Sequence, residues 1–147
     1  MSAKPTVPYW HLWADDDGIS HQTHCVMTEF ELQSIKRPAD PQWQGERLSG
    51  QMTTLVTVLP AGWIGTWHKN PKPQWIIPLS GRWFVESMDG THIEMGPGEL
   101  SFGGDQACRK TDGKLGHRSG TVGDAPAVLM VIQFDDAPAP SSPCAFR

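Results

Sequence analysis

Polar and apolar residues alternate in short stretches along this chain, and no window carries an apolar stripe at helical spacing over three turns. The clearest alternation is QMTTLVTVLP at 51–60. There Met52, Thr54, Val56 and Val58 share one face while Leu55 and Leu59 point the other way, as a strand's period of two requires. Residues 74–79 form a nearly continuous apolar strand, Ser80-Gly81 a turn, and 82–87 a returning strand closed by the hairpin signal Met88-Asp89-Gly90. Two short strands, 91–95 and 99–102, flank Gly96-Pro97-Gly98, and AVLMVIQF at 127–134 reads as a last buried strand. Upstream, the residues through His24 are polar and rich in turn formers, 25–32 alternates like a strand, and 35–50 reads as a loop or arm. The last stretch, DDAPAPSSPCAFR at 135–147, has the composition of a flexible tail.

Short strands bounded by Gly and Pro predict an all-β sandwich or barrel, since closing such a sheet removes its vulnerable edges. A chain of 147 residues is long enough to bury a core without disulfide staples. We therefore expect one domain: an arm and first strands over 1–50, a barrel over 51–134, and the tail.

Composition changes this picture mainly by exclusion. The net charge is −4 and no run of Lys and Arg forms a basic stripe, which argues against a nucleic-acid partner. No segment approaches a membrane span, and the first residues do not read as a signal peptide. Three cysteines, Cys25, Cys108 and Cys144, show neither CxxC spacing nor a framework pattern, so we expect reduced thiols in a cytoplasmic protein. Trp67, Trp75 and Trp83 bracket the stretch WHKNPKPQWIIPLSG and predict an aromatic-walled, substrate-binding cavity.

That stretch carries a resemblance. PAGWIGTWHKNPKPQWIIPLSG resembles the first signature of the cupin superfamily: Gly62 stands at the leading glycine, His68 at the first histidine, Asn70 at the second, Gln74 at the acidic position and Gly81 at the closing glycine. The second signature is matched loosely by Gly96-Pro97-Gly98-Glu99 and, after an insertion, by Gly116-His117-Arg118-Ser119. The resemblance implies a cupin-type jelly-roll β-barrel of the small single-domain kind, with homodimers common. It also implies a site at His68, Asn70, Gln74 and His117 that departs from the family pattern at two of its four ligand positions.

Two chemistries fit those residues. A divalent ion (Zn, Fe, Mn or Ni) held by His68 and His117 with Gln74 and Asn70 would be bound less tightly than by the usual set, because amide oxygens are weak neutral ligands. Without metal, the amides would hold a hydroxyl or carbonyl compound while an imidazole moves a proton. Asp105 reads first as part of a Gly-Gly-Asp turn and second as a site residue, and Arg118 as a carboxylate clamp or a surface charge. His21 and His24 read as loop histidines, solvated or capping. The resulting expectation is a lyase- or isomerase-like enzyme on a small polar or carbonyl-containing metabolite, with His68, His117 and Gln74 catalytic. The alternatives are a non-catalytic binding or sensing module and a metal-dependent dioxygenase.

Overall fold

The structure, a computed structural model, describes residues 3–140 and 142–147. It is all-β: eleven strands and no helix among those residues. In chain order they are β1 (Val7–Ala14), β2 (Ser20–Met27), β3 (Glu31–Gln33), β4 (Gln42–Gln44), β5 (Met52–Leu59), β6 (Gln74–Ser80), β7 (Arg82–Ser87), β8 (His92–Met95), β9 (Leu100–Gly104), β10 (His117–Val122) and β11 (Ala127–Phe134). A six-stranded sheet in the order β2-β1-β9-β6-β11-β5 packs on a three-stranded sheet, β10-β7-β8, as a sandwich of jelly-roll type. The β1–β9 pair is parallel and the other pairings are antiparallel. No helix of the described residues is long and apolar enough to cross a membrane.

The large sheet is apolar on both faces of its middle strands. Toward the small sheet, Leu12, Ile76, Leu129 and Val131 pack against Trp83, Val85 and Met95. On the outer face, Tyr9, Trp75, Phe102 and Phe134 form a second core, against which Phe146 packs. This explains the apolar residues at 75–78, where the strand is packed on both sides and needs apolar residues at every position, while Leu79 beyond them is 51% exposed. Trp75 points outward and Ile76 inward. Gly81, at φ +72°, makes the turn into β7, where a Cβ would collide with the Pro126 carbonyl oxygen.

Several expectations need correction. The first segment is a strand, VPYWHLWA, whose aromatic residues outweigh its prolines. The strand expected over 25–32 is two strands interrupted at residues 28–30, and the arm contains β4, paired with β3. The tail is anchored at its end: Cys144 is disulfide-bonded to Cys25, and the Tyr9 hydroxyl both donates to the Phe146 carbonyl and accepts from its N–H, each at 3.0 Å. Composition missed this because Pro, Ser and Ala dominate the stretch while two residues, Cys144 and Phe146, fix it. The bond also removes the free-thiol argument for a cytoplasmic location; only Cys108 is free, and it is buried.

His11 lies under this tail, fully buried, with Nδ1 accepting the Cys144 N–H at 3.1 Å and Nε2 lacking a partner. Burial lowers its pKa from 6.5 to about 4. Between those values the unfolded chain binds the extra proton, so stability falls as pH drops through the window, is unaffected by this group above it, and levels off below it. The full cost is about 3 kcal/mol. We expect urea midpoints to decline from pH 6.5 toward 4 and to decline less in His11→Phe. His21 works oppositely. Although burial opposes its charge, Asp15 and Asp89, at 2.7 and 2.9 Å, raise its pKa, so its contribution is lost at higher pH.

Candidate functional site

The histidine pair is built by the backbone. Residues 63–68 run beside β10 through isolated bridges, Ile64 opposite Gly120 and His68 opposite His117. His68 and His117 exchange both backbone hydrogen bonds at 2.9 Å, which places their side chains on the same side. Their ring centroids are 4.6 Å apart. His117 is buried, whereas His68 is exposed at the rim, so only one ring of the pair is enclosed. Gly116, at φ +73°, permits the approach. A Cβ there would strike the His68 carbonyl oxygen and the Asp105 carboxylate.

Inside the rim runs a buried row of polar side chains. Asp105 follows β9 and has no solvent exposure. Its Oδ2 lies 2.8 Å from His117 Nδ1, and its Oδ1 accepts from the Asn70 backbone N–H at 2.9 Å and from Asn70 Nδ2 at 3.0 Å. Asn70 Oδ1 accepts from Gln74 Nε2 at 2.6 Å, and Gln74 Oε1 from Gln133 Nε2 at 2.9 Å. A carboxylate can only accept, so it dictates which way each amide in turn must face. Gly103 makes the space: a Cβ there would collide with the Asn70 amide.

The same rule fixes the imidazoles. His117 Nδ1–H donates to Asp105, and His68 Nδ1–H donates to the Thr66 carbonyl at 2.8 Å. In the neutral rings each Nε2 then carries a lone pair, and neither Nε2 makes a hydrogen bond within the described residues.

The other expected site residues divide. Asp105, read first as a turn, is the hub of the row. Gln74 and Asn70 are buried beside it, with their amide oxygens turned to neighbouring amides and away from an open ligand position. Trp75 and Trp83 do not share a wall: Trp75 lies in the outer core and Trp83 in the inner one. Trp67 and Arg118 alternate onto the face opposite the histidine pair. There Arg118 bonds Glu86 at 2.7 Å, and with Lys114 it lies over the Trp67 ring at 5.9 and 5.4 Å. His21 is a salt-bridged residue stacked on Trp13, and the His24 ring lies tilted against Trp10, with centroids 4.7 Å apart. Gln133 was missed; its signal is a lone amide on the inward register of AVLMVIQF. Cys108 is no nucleophile: burial, then the Asp105 charge, push its thiol up to about 11.

Against a resident metal, the donor set is short. No group of three or more His, Cys, Asp or Glu among the described residues could hold an ion, so the pair would contribute two imidazoles where catalytic zinc sites have three protein ligands. Two clefts, of about 370 and 320 Å³, lie elsewhere, along the arm and under the tail.

No family model matches this chain, and no curated protein does. Among solved structures it is similar to the crystal structure of protein NMB1881 from Neisseria meningitidis, at 17% identity and a TM-score of 0.43, over 63% of this chain and 84% of that one. A likeness that distant carries no argument about the site.

Proposed function

We propose that this chain is a small-molecule enzyme of cupin type performing acid–base chemistry of the lyase or isomerase class, with His117 as the proton-transferring group. The observation that carries the reading is the buried contact of His117 Nδ1 with Asp105 Oδ2 at 2.8 Å. It holds one tautomer, leaves Nε2 to accept a proton from carbon or oxygen beside a carbonyl, and stabilises the imidazolium that results. Asp105 is a positioning residue. The Asn70–Gln74–Gln133 row keeps the carboxylate oriented, and His68 lines the approach from solvent.

A panel of hydroxy acids, diketones and sugars tests this. Turnover of at least one, lost in His117→Ala and reduced in His68→Ala with the fold intact by circular dichroism, supports the reading. A compound that raises thermal stability without being turned over favours the binding module instead.

The metal-assisted reading has one observation in its favour: both imidazoles have Nδ1 tied to an oxygen, the usual outer-shell arrangement of histidine ligands. Stoichiometric metal lost in both His68→Ala and His117→Ala would replace the metal-free scheme.

A further inference from the structure

The cleft of about 320 Å³ under the tail shares no residue with the histidine pair or its buried polar row. Its floor is Phe102, Phe134 and Phe146, with the arm at Leu48 on one side and the tail at Pro138 and Pro140 on the other. The three rings already meet at tilted angles, Phe102 to Phe146 at 4.5 Å and Phe102 to Phe134 at 6.2 Å between centroids. A further ring laid among them would continue that packing.

The space is preformed, because the tail wall is fastened at both ends. Where arm and tail converge, the Asp135 N–H donates to the Gln51 carbonyl at 3.0 Å, and the Asp135 carboxylate accepts from Lys72 and from the Thr53 hydroxyl, each at 2.9 Å. At the far end the Cys25–Cys144 bond and the Tyr9–Phe146 hydrogen bonds hold the tail down. Between these anchors Pro138 and Pro140 restrict the backbone and bring no N–H that an apolar slot would leave unpaired.

Arg47 is the one charged side chain among the described lining residues. Lys72, Arg82 and Arg118 each have a carboxylate partner. Arg47 has none among the described residues; one Nη2–H donates to Gln44 Oε1 at 3.0 Å, and the rest of its five-donor fork is unused by the protein.

We propose that this cleft binds a small monocarboxylic acid with an aromatic body, its ring on the three phenylalanines and its carboxylate on Arg47. The volume is at the lower end of the roughly 300 to 1,000 Å³ typical of small-molecule pockets, which suits a single ring with a short side chain. A planar carboxylate matches the guanidinium fork through two parallel hydrogen bonds, and one cation balances one negative charge. A phosphate monoester carries nearly two charges and would leave one of them uncompensated beside phenylalanine. The site is additional to the acid–base centre and does not depend on it.

Isothermal titration of the full, disulfide-bonded chain with 3-phenylpropionate and with its uncharged counterpart 3-phenylpropanamide tests this. Saturable one-to-one binding of the acid, roughly tenfold or more weaker for the amide and in Arg47→Gln, supports it. Ala137→Trp, at an exposed wall position, should fill the slot and abolish binding, whereas His117→Ala should bind the acid as the wild type does. Absence of saturable binding up to millimolar acid overturns the proposal. Equal affinity for acid and amide, or binding that survives both Arg47→Gln and Ala137→Trp, also overturns it. Binding lost in His117→Ala would put the acid at the histidine pair and overturn it equally.

Discussion

Reducing the Cys25–Cys144 bond, or replacing Cys144 by Ser, is expected to lower the unfolding free energy by about 4 kcal/mol. The cross-link spans 119 positions, nearly the whole chain, so it removes a large closure entropy from the unfolded ensemble. Its loss also frees the segment that satisfies His11 and Tyr9 and covers the outer core. For a domain of this size the melting midpoint should fall by roughly 10 °C. Thermal scans with and without reductant check this, and superimposable curves would mean that the tail is held by packing alone. Cys144→Ser should also lessen the acid sensitivity contributed by His11, whose burial depends on the same segment.

Asp105→Asn should separate positioning from folding. The amide keeps the shape, but it can donate where the carboxylate only accepted, so His117 can turn to the other tautomer and present Nε2–H. Turnover of any substrate found for the protein should drop by roughly 10³ to 10⁴, while His117→Ala in the Asp105→Asn background should cost little more, because the two act as a unit. Asp105→Ala is a different experiment. It strands the Asn70 backbone N–H, the Asn70 amide and the His117 ring in a buried site, at about 3 to 5 kcal/mol of stability. Equal activity in Asp105→Asn and wild type would remove Asp105 from the mechanism.

The legible part of this molecule was its periodicity. β5, β6, β7, β8 and β11 lie within a residue or so of where alternation and turn residues put them, because those strands are bounded by Gly, Pro or Asp-Gly. β1 was hidden by the prolines and aspartates around it. β10 was hidden by its composition, HRSGTV, which has one large apolar residue; it is a strand because Trp83 and Val85 opposite it supply the packing. At the site, the family resemblance implied that His68 and His117 come together, and their ring centroids lie 4.6 Å apart. Spacing could not show that Asp105 is buried, since a Gly-Gly-Asp turn at the surface and one folded beneath two histidines share a sequence. Nor could it pair Cys25 with Cys144, a contact made only by tertiary structure.

The outer core has an assembly order built into it. Tyr9, Trp75 and Phe102 receive their cover from Phe146, and the Tyr9–Phe146 contact joins positions 137 apart. During synthesis the aromatic sheet face must therefore wait, uncapped, until Phe146 has emerged. A product cut short before Cys144 would display that face to its surroundings, and it should be a substrate for holding chaperones where a chain that includes Cys144 and Phe146 is not.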